Sequence, residues 1–465
     1  MDYDALSALE MAAAVRAGDV APDHFVAEAA ARIRAANPAL NAVVHDFPPQ
    51  MPATLDGPFA GVPLLLKNIG VAIKGAPVSS GSRLHADVVS PADSTLGARL
   101  RAAGFVPMGR TNTPELALSF TAEGAFHGPA RNPWDLSRSP GGSSGGAAAV
   151  VAAGIVPVAQ SSDGAGSTRV PAAHCGVFGF KPSRLRNPVG PAQAEGIAGM
   201  STPHAISRGV LDNAAMLDAT HGPDTGDPWA CPPSGGRFAE AVVRAPGKLR
   251  IGLELSGAPD CRAAAEAAAA LCADLGHEVE IARPDYGNEA LKEAWFTISA
   301  VSVARGVAAF ARARGIADPL ALLEPVNADW VRRGQAVPGT EYLGAVSLLH
   351  QTSRAMGRFF SEFDLYLSPT TAEIAPPLGW LAGEGMEAEA FFDRFWAHAP
   401  LTAVFNASGC PAMSVPLHWT AGGLPVGVQF GAAYGRDALL YQLAGQLEAA
   451  RPWAHRRPAL AEAVA

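Results

Sequence analysis

Between Ser139 and Ser162 the chain runs 24 residues without a charged side chain. A run of that kind belongs either in a membrane or in the interior of a large folded body. Its composition decides between the two. Gly, Ser and Ala dominate it, and Pro140 and Pro157 interrupt it, whereas a spanning helix needs about 20 predominantly apolar residues. The stretch is therefore read as buried interior. A chain of 465 residues can enclose such an interior without metals or disulfides. With 49% hydrophobic and only 17% charged residues, the chain fits a compact globular enzyme rather than a disordered one.

Elements on either side follow from periodicity and punctuation. Residues 4–17 and 22–36 read as amphipathic helices, the second ending before Pro38. The run Val62-Pro63-Leu64-Leu65-Leu66-Lys67 follows a Gly-Pro turn and reads as a fully buried strand. Ser94 can cap a helix through Ala103, with a strand over 105–108, and Thr113-Pro114-Glu115 predicts another helix start. Ala147 to Ala153 reads as a small-residue helix and Ile155 to Ala159 as a buried strand. Residues 183–200 and 221–236 are Pro- and Gly-rich and predict surface loops. Strand 248–255, helix 261–275 and strand 277–282 form a βαβ-like unit. Residues 286–360 read as mostly helical and 364–368 as a strand. Strands 412–417 and 426–430 predict a hairpin about Gly422-Gly423, and 436–449 closes the pattern as a helix. Strands alternating with helices, with no clear linker between them, predict an α/β layered fold.

The net charge is −8 and no basic block stands out, which argues against nucleic acid or an anionic membrane as a partner. The five cysteines (175, 231, 261, 272 and 410) contain no CxxC. They predict free thiols in a reducing compartment, hence a cytoplasmic protein, and no metal site. The acidic start Met-Asp-Tyr-Asp-Ala-Leu lacks the basic and apolar regions of a signal peptide.

Three places in the sequence carry chemistry when taken together. Lys67 ends an apolar run, so its ammonium is expected in apolar surroundings; alone, it would read as a strand-end lysine snorkelling to water. The other two places are Gly-rich turns, 139–146 and 163–169. Neither continues into Gly-Lys-Ser/Thr, and neither has the Gly-x-Gly-x-x-Gly spacing of a phosphate cradle. Gly142-Ser143-Ser144-Gly145-Gly146 matches a Gly-x-Ser-x-Gly elbow centred on Ser144, but that motif needs a strand running into the serine. Residues 132–140 make a poor strand. A serine hydroxyl needs a base, and a lysine can supply one without histidine if it is neutral. At its ordinary pKa only about one lysine in 2,500 is neutral at pH 7; burial lowers that pKa by up to 3–5 units. Gly164, Ala165 and Gly166 offer backbone N–H groups that a carbonyl oxygen can approach closely.

These residues resemble the amidase signature family. Its pattern is matched by Gly141-Gly142-Ser143-Ser144-Gly145-Gly146, by Asp163-Gly164-Ala165-Gly166-Ser167-Thr168-Arg169-Val170-Pro171-Ala172 and by Gly179-Phe180-Lys181-Pro182-Ser183. The spacings 167 − 143 = 24 and 143 − 67 = 76 match as well. Segments 405–416 and 423–429 look like family landmarks. The resemblance implies one domain over 1–465, with a catalytic core at about 60–210. It implies a three-layer α/β/α sandwich around a large twisted mixed β-sheet. Ser167 would be the nucleophile, Ser143 the bridging serine after a cis peptide bond, and Lys67 the base. The N–H groups of Gly164, Ala165, Gly166 and Ser167 would form the oxyanion hole, supported by Ser144, Asp163 and Arg169, with no metal or organic cofactor. The sequence departs from the family at Ala165 (usually Gly), Asn68 (often Asp), Thr168 (Ile or Val) and Arg184-Leu185-Arg186 (a Gly-Arg pair).

The implied activity is hydrolysis of the C–N bond of small-molecule, non-peptide amides, including anilides, oligomeric amides and carbamates or urethanes, by a monomer or homodimer. Two alternatives stand beside it: an amidotransferase catalytic subunit and a non-catalytic binding protein on the same fold. The expected pocket wall includes Phe126, Trp330, Phe391, Phe395 and Trp396, which suit an apolar or aromatic group.

Overall fold

The structure, a computed structural model, describes residues 2–460. Its centre is a mixed sheet of eleven strands among those residues. In chain order they are β1 Val43–Asp46, β2 Pro63–Lys67, β3 Val106–Thr111, β4 Val158–Asp163, β5 Phe178–Lys181, β6 Thr202–Ser207, β7 Arg250–Leu253, β8 Glu278–Ile281, β9 Leu365–Pro369, β10 Ala412–Trp419 and β11 Pro425–Ala432. The spatial order is β1-β3-β2-β4-β6-β5-β10-β11-β9-β7-β8. β2 runs parallel to β3 and β4, while β5, β6, β10 and β11 pair antiparallel.

Side chains alternate between the faces of a strand, and the alternation shows three layers. Leu64 and Leu66 pack with the helices Ala8–Ala17 and Thr95–Ala102. Leu65 between them packs with His24–Leu40 and Gly145–Ala152 on the opposite face. In β9, Leu365 and Leu367 face the helices Pro259–Asp274 and Asp437–Ala450, and Tyr366 faces Asn288–Arg314 and Ala388–His398. Continuous apolar runs such as Leu64-Leu65-Leu66 are what a strand covered on both sides requires.

The uncharged stretch 139–162 is interior, as its composition implied: Gly145–Ala152 is buried along its whole length and runs on into β4. Among the described residues one helix, Asn288–Arg314, is long and apolar enough to span a membrane. It buries Leu291, Ala294, Trp295 and Ile298 in the protein core.

Several local expectations are corrected. The second helix continues through Pro38 to Leu40. Pro38 sits in its last turn, and Asn37 clamps the exit by accepting the N–H groups of Ala42 and Val43. No α-helix starts at Pro114. Glu115–Ala117 is a single 3-10 turn with Leu116 and Ala117 at positive φ, because Ser80 O takes the Leu116 N–H and the Glu115 carboxylate is held by Ser82, Glu324 and Asn327. The strand expected at 155–159 begins at Val158 and reaches Asp163. Segment 183–187 is not a surface loop: Ser183, Arg186 and Asn187 are buried, and Arg186 pairs with Asp437 at 2.8 Å.

Candidate active site

β2 ends on Lys67, which is completely buried. Its backbone N–H donates to Gln160 Oε1 (3.1 Å), and the guanidinium of Arg110 donates to Lys67 O (3.3 Å) and Val71 O (2.7 Å). The ammonium donates to Ser143 Oγ at 2.7 Å and to Ser162 Oγ at 3.1 Å. Burial pulls the Lys67 pKa down to about 7, opposed by the negative charge of Asp163. Asn68 contributes no negative charge beside it. Its amide both donates to Ser79 Oγ (2.7 Å) and accepts the Ser79 N–H (2.9 Å), which fixes the chain just past the lysine. A second buried lysine, Lys181, is also lowered to about 7 by burial, but its ammonium is spent on Pro182 O at 2.8 Å.

Ser143 follows a cis Gly142–Ser143 peptide bond, as expected. Gly142 is irreplaceable here, because a Cβ would lie 2.2 Å from Thr121 O. No strand leads into Ser144, so the elbow reading fails. Ser144 instead supports the site. Its hydroxyl donates to Ser162 O (3.2 Å), and its N–H donates to Ser167 O (3.1 Å). That backbone bond ties the Ser143 loop to the Ser167 turn. No hydrogen bond joins the Ser143 and Ser167 hydroxyls among the described residues.

Asp163 and Arg169 bracket the turn and are both fully buried. The guanidinium grips the carboxylate with two donors at 2.9 Å, and Thr168 N–H adds a third bond at 3.2 Å. Burial would raise the Asp163 pKa, but the Arg169 charge and hydrogen bonds outweigh it and hold it at about 2. Arg169 also donates to Thr402 O, Gln429 Oε1 and Asn406 Oδ1 (2.9, 2.7 and 2.7 Å). Asn406 returns a bond to Asp163 Oδ1 at 2.9 Å. A buried pair is retained only when its remaining valences are satisfied, and here Thr402 and the landmark residues Asn406 and Gln429 satisfy them. Thr168 finds the hydroxyl of Ser161 at 2.9 Å, which accounts for a hydroxyl where the family has a branched alkyl group.

Within the turn, the substitution of glycine by Ala165 costs little. Its methyl is buried in an apolar cluster with Leu118, Val170 and Trp295. Gly166 has no such latitude: its φ is +145°, and a Cβ would meet Thr402 Oγ1 at 2.6 Å. Gly166→Ala is expected to displace the turn and lower kcat/KM by about 100-fold, the scale of a misplacement near 1 Å. Steady-state kinetics on any turned-over amide checks this.

The aromatic residues expected to line a pocket are mostly core. Trp330, Phe391, Phe395 and Trp396 are buried in the cluster that contains Ala165, and Phe120 stacks on Phe395 at 3.9 Å. Phe126 is half-buried. Gln160, Ser162, Asn406, Gln429 and Trp295 were not singled out by sequence as site supports. For the first two a signal existed, because they lie on the strand that delivers the Asp163 turn.

A family description, Amidase, matches residues 24–441. The chain is 37% identical to a 6-aminohexanoate-cyclic-dimer hydrolase of Paenarthrobacter ureafaciens, over 96% of this chain and 95% of that protein. It is 34% identical to an acylamidase of Rhodococcus erythropolis, over 98% and 97%. Its fold superposes on a substrate-complexed 6-aminohexanoate cyclic dimer hydrolase with a TM-score of 0.92 at 35% identity, covering 99% of this chain and 100% of the other. A bacterial aryl acylamidase superposes with a TM-score of 0.87 at 27% identity, covering 99% and 98%. With the signature loops, the eleven-strand mixed sheet and these likenesses in hand, the chain belongs to the Amidase family, the amidase-signature hydrolases of amide C–N bonds.

Proposed function

We propose that the chain hydrolyses small-molecule, non-peptide amides through an acyl-enzyme on Ser167, with Ser143 as proton relay and Lys67 as base. The observation that carries the reading is the 2.7 Å contact between Lys67 Nζ and Ser143 Oγ, made by a lysine whose burial lowers its pKa to about 7. A base poised near the working pH transfers protons most efficiently. Lys67 takes a proton from Ser143, Ser143 takes one from Ser167, and Ser167 Oγ attacks the carbonyl carbon. The N–H groups of Gly164, Ala165, Gly166 and Ser167 receive the negative charge that develops on oxygen. The relay then runs in reverse to protonate the departing amine, and water releases the acyl group by the same route.

For the substrate, the likeness to a cyclic-dimer amide hydrolase and an acylamidase favours an apolar or cyclic acyl part. The unbroken eleven-strand sheet supports one catalytic domain, and the five free cysteines suit a reducing cytoplasmic compartment. A panel of anilides, linear and cyclic aliphatic amides, esters and carbamates tests the reading. Amides are expected to be turned over without added metal or cofactor. Turnover of carbamates or esters with none of the amides would overturn the amide assignment.

A further inference from the structure

Trp295 lies about 130 positions from the nucleophile turn in sequence, on the long helix Asn288–Arg314, yet its indole N–H donates to Gly164 O at 3.1 Å. The ring is buried and rigidly seated. It stacks on Phe392 at 5.5 Å with 7° between planes, and it meets Trp330 edge-on at 6.5 Å. Gly164 O belongs to the same peptide unit as the Ala165 N–H. In a planar trans peptide the C=O and N–H point in opposite directions. Whatever fixes the carbonyl on one side therefore aims the N–H to the other.

The rest of the turn is held at its ends. Asp163 is fixed by Arg169 and Asn406, and Thr168 by its N–H to Asp163. The middle peptide has glycine on one side, and a Cβ at Gly164 would meet nothing closer than Ile197 Cδ1 at 3.6 Å. On the Gly164 side no side chain restrains this peptide, and the Trp295 hydrogen bond fixes its carbonyl. A peptide flip would turn a donor away from the developing oxyanion and present a carbonyl instead.

We propose that Trp295 is a positioning residue that sets the orientation of the Gly164–Ala165 peptide and so aims the Ala165 N–H into the oxyanion hole. This rests on the reading of 164–167 as that hole. Trp295 acts through the peptide and not on the substrate, so its loss raises the barrier without changing ground-state binding.

The test uses two variants of the full chain. Trp295→Phe keeps a stacking ring and removes the N–H. Replacement of Trp295 by β-(3-benzothienyl)alanine keeps the shape and exchanges N–H for sulfur. Both are expected to lower kcat about tenfold, the scale of one neutral hydrogen bond, with KM unchanged. Affinity for a trifluoromethyl ketone that bonds to Ser167 should fall by the same factor, and the thermal midpoint of the benzothienyl variant should be unchanged. A rise in KM at constant kcat would make Trp295 a substrate contact and overturn the proposal. So would a fall in kcat for Trp295→Phe that the benzothienyl variant does not share, because packing would then be the cause. Ser167→Ala, measured alongside, separates the two levels. If it loses the covalent adduct while both Trp295 variants keep full kcat, the nucleophile stands and the role of Trp295 falls. If it keeps full turnover, the hole itself is misassigned and the proposal falls with it.

Discussion

Ser167→Ala is expected to lower kcat by on the order of 10⁵- to 10⁶-fold, the scale seen when a serine hydrolase loses its nucleophile. The fold should survive. The Ser167 side chain lies at the end of a turn whose shape is set by other atoms: the Asp163–Arg169 pair, the Ser144 N–H to Ser167 O bond and the positive φ of Gly166. None of these involves the hydroxyl. The residual rate should remain above the uncatalysed one, because donors aimed at the carbonyl oxygen act on any attacking water. Two measurements check this. Rapid quenching with mass spectrometry should find an acyl adduct on the native chain and none on the variant, while the thermal midpoints agree within a few degrees. An adduct persisting in Ser167→Ala would move the nucleophile elsewhere in the site.

Lys67→Met carries the second large effect, and it has opposite signs for activity and stability. In the proposed role of base, Lys67 works when neutral. With its pKa near 7, roughly nine-tenths is neutral at pH 8 and about one-tenth at pH 6. The kcat/KM of the native enzyme should therefore fall about tenfold per pH unit below 7 and level off above it. Removing the base should lower the rate by about 10²- to 10⁴-fold and abolish that limb.

Stability runs the other way. The folded-state pKa lies below the unfolded value of about 10.5, so between the two the unfolded chain binds more protons. Folding is penalised fully below pH 7, and the penalty fades as pH rises toward 10.5. The difference of about 3.5 units sets an upper limit of roughly 5 kcal/mol. Lys67→Met should thus be more stable than the native chain at pH 7, and the gain should shrink by pH 10. Thermal unfolding at the two pH values tests it. Equal midpoints at pH 7 would mean that Lys67 is not held in a desolvated site.

Much of the architecture was legible because burial on both faces leaves an unambiguous trace. Leu64-Leu65-Leu66, short and bounded by a Gly-Pro turn, read as a covered strand. The uncharged stretch 139–162, too rich in glycine and broken by proline to span a membrane, could only be interior. Misreadings came where side chains compete with backbone. Glu115 looked like a helix start by local rule, but its carboxylate is claimed by residues more than two hundred positions away. Pro38 looked like a stop, but the helix runs two residues past it and ends where Asn37 accepts the N–H groups of Ala42 and Val43.

The sequence by itself determined the catalytic candidates and their register. The spacing of Lys67, Ser143 and Ser167 is a property of the chain, and Gly-rich runs mark where two of them turn. The tertiary structure alone decided what holds those candidates in place. Asn406, Gln429 and Trp295 reach the site from elements that lie far from it in sequence, and only the fold brings them there. It also decided the protonation of Lys67. A lysine's pKa depends on the water excluded from all sides, and that exclusion exists only once β2, the helix Gly145–Ala152 and the Asp163 turn have closed around it.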